Sequence, residues 1–172
     1  MIIQKYKRQE GFTLVETMLY VVVAGSLILF MSLFTGMIVD ARLKNRTIAE
    51  VEDQGSYVLR KITEVVRNSV SINTPLAGAS DDVLSLTVVG TLNPTILDLN
   101  NGTLRIKEGA NPEINLTNSH VSVSNLNFEN LSWAGTPGIV RVSFIVTYLN
   151  PENRNDYNFS KTWSTSISLR NN

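Results

Sequence analysis

One acidic residue near the N-terminus, Glu16, lies where its charge has chemical consequences. It directly precedes a segment from Thr17 to Val39 that holds 23 residues and no charged side chain. As a helix, this segment would be about 35 Å long, enough to cross a bilayer core of about 30 Å. An ionised carboxylate left unpaired in hydrocarbon costs at least about 3 kcal/mol. Glu16 therefore either lies at headgroup level near the end of the helix, or it pairs with a cation.

The residues before this glutamate indicate where such a cation could come from. Lys5, Lys7 and Arg8 form a basic leader, and Gly11 lies at the border between that leader and the apolar segment. Cleavage after the glycine would leave Phe12 with a free amine, one helical turn away from the glutamate. A buried charge tolerates a low dielectric only when it is paired, so the new amine is a suitable partner.

The stretch Gly11 to Glu16, which reads Gly-Phe-Thr-Leu-Val-Glu, resembles the class III leader of type IV pilins and type II secretion pseudopilins. The resemblance implies that a prepilin peptidase cleaves between Gly11 and Phe12 and methylates the new amine of Phe12. It also implies that Glu16 attracts the Phe12 amine of a neighbouring subunit as helices pack into a filament. The implied partners are other pilin or pseudopilin subunits, prepilin peptidase, a membrane assembly platform and membrane lipid.

Further features favour a minor subunit of that family. Major subunits usually carry a proline at the position that Leu33 occupies here. Gly25 matches a glycine common in major subunits, and Gly36 also weakens the helix, but neither removes a backbone donor as proline does. Because tip pseudopilins typically lack the glutamate, Glu16 favours a place below the tip or in the shaft. Three stretches are similar to the larger minor subunits, the J-type minor pseudopilin and the W-type minor pilin: residues 53–62, 65–68 and 168–171.

The distribution of charge predicts the membrane topology. The basic leader predicts a single-pass protein of the cytoplasmic membrane with its N-terminus in the cytoplasm and its following domain exported, periplasmic or extracellular. Arg42, Lys44 and Arg46 oppose this orientation only weakly, since large downstream domains translocate largely regardless of charge. The alternative is an ordinary secretory signal cut after residues 39–41, but its apolar region would far exceed the usual length of about 7 to 15 residues.

The residues after the apolar segment predict an amphipathic helix. No proline occurs between residues 41 and 71, and apolar residues recur at steps of three and four. This stripe consists of Ile48, Val51, Gly55, Val58, Ile62 and Val65. We predict a single helix from Phe12 to about Val70. A coiled-coil stalk is the alternative, but its heptads would last only about three repeats and Gly55 interrupts them.

From Leu84 onward the apolar pattern changes to period two, which predicts β-strands. Asn101-Gly102 lies between two alternating runs and predicts a type I′ hairpin, because both central residues of that turn need positive φ. The longest strand is predicted from Ile139 to Leu149, and the last one alternates apolar and hydroxyl side chains around Trp163. This alternation predicts an antiparallel sheet with one wet and one dry face, and the helical stripe must cover the dry face.

The predicted fold class is therefore α+β. A long N-terminal helix, membrane-spanning in its first half, packs on a mainly antiparallel β-sheet domain, as the pilin resemblance also implies. The predicted segments are a cleavable basic leader (1–11), a transmembrane, filament-core half of the helix (12–39), an amphipathic half (40–72) and an exported β domain (73–172).

Composition argues against catalysis. The chain has 172 residues, zero net charge and no cysteine, so disulfides and thiolate metal sites are absent. Its Lys and Arg residues are scattered, so no electrostatic footprint for nucleic acid is evident. It contains no Walker-type loop and no Gly-x-Ser-x-Gly elbow. We predict a protein that is not an enzyme and that needs neither cofactor nor metal.

Some residues keep a weaker functional interpretation. We predict that the single histidine, His120, is an exposed or hydrogen-bonded loop residue, because no second histidine or cysteine can complete a metal or catalytic site. Asp81-Asp82 could be half of a calcium site but suits a turn better. Four aromatic residues could either pack or form a recognition surface: Trp133, Trp163, Tyr148 and Tyr157. Glycosylation sequons occur at Asn45, Asn101, Asn115, Asn130 and Asn158.

Two functional classes stay open from the sequence. In the first, the chain is a minor subunit of a type IV pilus or a secretion pseudopilus. In the second, it is a membrane-tethered β domain that binds a ligand without entering a filament. Methylation of Phe12 would favour the first class, and an intact Met1 would favour the second.

Overall fold

A computed structural model describes residues 11–133, 138–151 and 157–170. Within these ranges the protein has one long helix followed by antiparallel strands, so the predicted α+β fold is confirmed. The chain divides into two compact units between Arg42 and Leu43. The elements are α1 (Leu14–Arg67), β1 (Ser69–Thr74), β2 (Ser80–Asp81), β3 (Leu84–Val88), β4 (Thr95–Asn100), β5 (Thr103–Glu108), β6 (Ile114–Asn115), β7 (Val121–Asn130), β8 (Ile139–Tyr148) and β9 (Ser160–Ser168).

The first unit contains the apolar part of α1. Its large apolar side chains between Phe12 and Val39 are all exposed. In this part α1 is long and apolar enough to cross a membrane, and none of that stretch is buried against other described residues. Since such a surface is costly in water, it needs lipid or protein around it.

The end of α1 differs from the predicted end near Val70. The helix ends at Arg67, a cation in the last turn that suits the negative end of the helix dipole. Ser69 then begins β1 and is fixed to the helix end, because its hydroxyl donates to the carbonyl of Val66 at 2.6 Å. The chain continues as a strand and not as another helical turn, because β1 pairs with β3, with Ile72 opposite Leu86.

The strands of the second unit form two antiparallel sheets where the sequence predicted one. Sheet A has the order β1-β3-β4-β5-β6 and sheet B the order β2-β7-β8-β9. Two smaller sheets allow both dry faces to contribute to one core, whereas a single open sheet of so many strands would twist strongly. Alternation along a strand shows which face is dry but not which sheet contains the strand.

The apolar stripe of α1 enters this core, as predicted. Val51, Gly55, Val58, Ile62 and Val65 are buried, and Val66 joins them. Ile48 is only half-buried, and Thr47 is buried in its place. The same core cluster contains residues of both sheets: Leu84, Leu86, Leu97, Leu104 and Ile106 of sheet A and Val123, Phe128, Val140, Val142, Phe144, Val146 and Ile167 of sheet B.

The predicted hairpin between β4 and β5 is confirmed. Asn101 and Gly102 have φ angles of 49° and 77°, as a type I′ turn requires. The turn also joins the two sheets, because the backbone N–H of Val123 in β7 donates to the carbonyl of Gly102 at 2.7 Å. A Cβ atom at Gly102 would overlap the Ser122 hydroxyl, so close approach as well as positive φ requires glycine here.

A bulge in β7 explains a break in its apolar pattern. The pairing register of β7 with β8 shifts between Ser124 and Asn127, and Asn125 has a φ of 52°. One extra residue changes which side chains face the core. Val123 before the bulge and Leu126 within it are therefore both buried, although they are three positions apart.

An ion pair joins two residues that lie opposite each other in the β4–β5 hairpin. Arg105 donates from Nε to Asp98 Oδ1 at 3.1 Å and from Nη2 to Oδ2 at 2.5 Å. A further bond joins Arg105 Nη1 to Glu113. The hydrogen bond to Asp98 is the main cause that raises the pKa of Arg105, and desolvation partly opposes it. Arg105 is therefore charged throughout the usual pH range.

Candidate functional site

The start of α1 is capped by Thr13. The backbone N–H of Glu16 donates to Thr13 Oγ1 at 3.3 Å, and the N–H of Thr17 donates to the Thr13 carbonyl at 3.1 Å. A threonine followed three residues later by a glutamate has the spacing of a capping box. An acid in the first turn also suits the positive end of the helix dipole. Glu16 therefore stabilises a helix that begins at Leu14.

The Glu16 side chain belongs to a small cluster with two aromatic residues. The hydroxyl of Tyr20, one turn further along, donates to Glu16 Oε1 at 3.3 Å. The ring of Tyr20 also meets the ring of Phe12 edge-on, with centroids 6.2 Å apart and planes 75° apart. Phe12, Glu16 and Tyr20 follow one another at steps of four residues, which places them on one face of the helix start.

Tyr20 is the member of this cluster that the sequence reasoning missed. The signal was present, since a tyrosine four residues after a glutamate on a helix lies within reach of it. A tyrosine surrounded by leucine, valine and methionine looks like one more apolar residue of a membrane segment. Its hydroxyl matters here because it donates to the carboxylate that stands at the start of that segment.

The Glu16 carboxylate has capacity for another donor. Two carboxylate oxygens accept about four hydrogen bonds, and Tyr20 is their side-chain partner among the described residues. Glu16 is half-buried, while Phe12 is 73% and Tyr20 54% exposed. A single hydroxyl does not compensate an ionised carboxylate in an apolar medium. The site therefore suits a cation that approaches from outside the chain.

The predicted cleavage position lies next to this cluster. Gly11 and Phe12 are exposed and precede the first helical residue, Leu14. The bond between them thus lies outside the helix. The leader residues Lys5, Lys7 and Arg8 lie outside the described residues.

The remaining polar candidates take local structural roles. The N–H of His120 donates to Asn118 Oδ1 at 2.9 Å. Asp81 Oδ1 accepts from the N–H of Val83 at 3.3 Å, a turn contact. The Asn130 amide is buried and donates to the Pro75 carbonyl at 2.7 Å, so this sequon is inaccessible in the folded chain. Over the described ranges, no group of three His, Asp or Glu side chains could hold a metal ion.

The aromatic candidates separate into different environments. Trp163 packs against Gly55 of α1. Tyr148 and Tyr157 stack on each other with ring centroids 5.9 Å apart, and Trp133 is 81% exposed. Trp163 thus has a packing role, whereas Trp133 lies at the surface.

The cluster at the start of α1 offers a carboxylate, an aromatic pair and an exposed chain segment, which is chemistry for binding a cation. Comparison of the chain with protein-family models, with curated proteins and with solved structures finds no match.

Proposed function

We propose that the chain is a minor pilin or minor pseudopilin, a structural subunit of a type IV pilus or a type II secretion pseudopilus. Prepilin peptidase cleaves it after Gly11 and methylates the amine of Phe12. The observation that carries the proposal is the position of Glu16. Its carboxylate lies in the first turn of an exposed apolar helix, and Glu16 directly follows the Gly-Phe-Thr-Leu-Val stretch in the sequence.

The apolar surface between Phe12 and Val39 supplies the free energy of assembly. Lipid covers this surface while the subunit is in the cytoplasmic membrane, and neighbouring helices cover it in the filament. Packing between helices provides the main stabilisation. The pair between Glu16 and the Phe12 amine of the next subunit fixes the register, as a buried polar contact can.

The basic leader of Lys5, Lys7 and Arg8 also supports a topology for the precursor. The N-terminus stays in the cytoplasm, where the peptidase and the assembly platform act on it, and the β domain is exported. Gly25 and Gly36 lack neighbours within 4 Å among the described residues, so the helix tolerates close approach of other helices at both positions.

The test compares variants of Glu16 expressed in cells that assemble the filament. Glu16→Gln keeps the shape of the side chain and an acceptor for the Tyr20 hydroxyl but removes the charge, whereas Glu16→Ala removes both. We expect membrane insertion and leader removal to stay intact in each, with incorporation into filaments reduced at least about tenfold, since leaving one charge of a buried pair unpaired costs about 3–5 kcal/mol.

The matched control is Glu64→Gln, which removes a carboxylate from the other half of the same helix. Its side chain is 62% exposed, and its nearest cation, Lys61, is 3.8 Å away. Such exposed pairs contribute little, so this variant should assemble normally. Normal incorporation of Glu16→Gln would refute the pairing role and leave only the role in capping.

A further inference from the structure

β9 forms one edge of sheet B, and over the described residues its nine residues pair with β8 alone. At one end of this ladder the Tyr148 N–H donates to the Phe159 carbonyl. At the other end the Leu169 N–H donates to the Gly138 carbonyl. Hydrogen-bonded pairs alternate along an antiparallel ladder. The odd-numbered residues of β9 therefore bond to β8, and the even-numbered residues direct their backbone N–H and C=O groups away from it.

The outer side of β9 is a row of unpaired backbone groups. The five even-numbered residues are all exposed, and within the described ranges their outward N–H and C=O groups have no hydrogen-bond partner. These residues are Ser160, Thr162, Ser164, Ser166 and Ser168. Such a row is a template on which a further strand can pair.

The other sheet edges are shorter or less regular. β2 and β6 contain two residues each, and β1 shifts its register twice against β3 before Pro75 follows it. β9 keeps one register with β8 over its whole length and contains no proline. Its charged residue, Lys161, donates to Glu52 of α1. The features that commonly protect an edge strand are thus missing from β9.

Two arginines lie at the C-terminal end of this edge. Arg67 in the last turn of α1 and Arg170 after β9 line a recess of about 420 Å³ together with Asn68 and Ser168. No acidic residue is among these lining residues, and neither guanidinium has an ion pair or hydrogen bond within the part of the chain that the structure describes. Two cations that share a recess repel each other. A carboxylate between them would relieve this repulsion, and arginine can bind it through two parallel hydrogen bonds.

We propose that the β9 edge binds an extended peptide segment with acidic residues at one end. The peptide backbone pairs with the even-numbered residues of β9, and its carboxylates bind Arg67 and Arg170. An antiparallel strand is favoured, because its ladder is slightly more stable than a parallel one. Since β9 runs toward Arg170, the acidic residues lie at the N-terminal end of the peptide. The inference goes beyond the proposed function and depends on neither the leader nor the filament.

Synthetic peptides test the inference on the full-length protein in detergent. The probe reads Glu-Asp-Thr-Val-Ser-Val-Thr-Val-Ser, with blocked termini and a fluorescent group at its C-terminal end. One control peptide has the Glu-Asp pair moved to the C-terminal end, and another has Lys-Lys in its place. Fluorescence anisotropy should show the tightest binding for the probe. The first control should bind about two- to fivefold more weakly, as expected for exposed ion pairs, and the lysine peptide should bind most weakly.

Variants of Ser164 test the backbone contact. Ser164→Pro removes the outward N–H in the middle of the edge, and an edge strand tolerates proline where its N–H faces solvent. The probe should bind this variant at least about tenfold more weakly, because a donor is lost and the peptide carbonyl opposite it stays unpaired. Ser164→Ala keeps the N–H and should bind as the parent chain does.

Variants of the arginines test the charge contact. Arg67→Gln and Arg170→Gln should each weaken probe binding about two- to fivefold and reduce its dependence on salt. Arg60→Gln is the matched control, since Arg60 is an exposed arginine of the same helix outside the recess. It should leave binding unchanged. Melting temperatures close to that of the parent chain would show that all these variants are folded.

Hydrogen exchange gives a readout that needs no variant. The amides of Thr162, Ser164 and Ser166 should exchange rapidly in the protein alone and slowly with the probe present. Failure of the probe to bind, unchanged exchange, or equal binding to a folded Ser164→Pro chain would overturn the inference. A disulfide-linked dimer of a Ser164→Cys chain would also overturn it. Two antiparallel copies of β9 place residue 164 opposite itself, so that dimer would identify a second copy as the occupant.

Discussion

Gly55 of α1 lies directly beneath the indole ring of Trp163 in β9. A Cβ atom at Gly55 would overlap the ring, so the absent side chain sets how closely the helix approaches sheet B. Lys161 Nζ lies 4.6 Å from the ring centroid, and it donates to Glu52 Oε1 on α1 at 2.8 Å. The indole Nε1 is buried without a hydrogen-bond partner among the described residues. Packing of the ring therefore has to offset an unmet donor, which costs about 1–3 kcal/mol.

Gly55→Ala should destabilise the protein, although alanine is the better helix former by about 1 kcal/mol. The new methyl group would push against the indole, and overpacking of this kind costs about 1–3 kcal/mol. The measurement is thermal unfolding of the full-length protein in detergent, followed by tryptophan fluorescence. Gly36→Ala is the control, since nothing lies within 4 Å of its added methyl group. A higher melting temperature for Gly55→Ala would show that the close contact is absent.

Ile62→Asp should abolish the folded state of the β domain. Ile62 has no exposed surface, and an aspartate there would be ionised without a partner or would need to be protonated, either of which costs several kcal/mol. Tyr57→Asp, on the same helix but 46% exposed, is the matched control and should fold. Circular dichroism and limited proteolysis of the full chain distinguish the two. Equal melting temperatures for both variants would contradict packing of the stripe in the core.

The packed half of the helix was predictable because its signal is local and periodic. Val51, Val58 and Ile62 show their buried face by spacing alone. The Asn101-Gly102 turn was predictable for a similar reason, since few residues accept positive φ at two consecutive positions. The division into two sheets was not, because the pairing of β2 with β7 joins residues far apart in the chain. Periodicity carries no information about such pairing.

Tyr20→Phe should increase the fraction of the protein that is assembled into filaments. The substitution keeps the ring contact with Phe12 but removes the hydroxyl that donates to Glu16. A carboxylate in an apolar medium that loses a donor gains more from pairing with the amine of another subunit. We expect a higher ratio of filament-bound to membrane-bound protein by quantitative immunoblotting. A fall in this ratio would instead place the hydroxyl within the assembled contact.

The candidate site was predictable in Glu16 and in the Phe12 amine but not in Tyr20. Glu16 stands out because a carboxylate at the border of an apolar segment has a large cost. The Tyr20 hydroxyl bond and the Thr13 cap depend on where the first helical turn begins, and helix boundaries are poorly defined by sequence. The environments of Trp163 and Trp133 required the structure, because a sequence does not show which tryptophan packs against Gly55 and which is exposed.

The most direct test of the proposed function is the mass of the N-terminal peptide of the protein isolated from cells. The account predicts a chain that begins at Phe12 and carries one methyl group on its amine. Gly11→Ala offers a matched variant, in which processing should fall sharply while membrane insertion persists. A mature protein that still begins at Met1, or one cut after Ala41, would contradict the account.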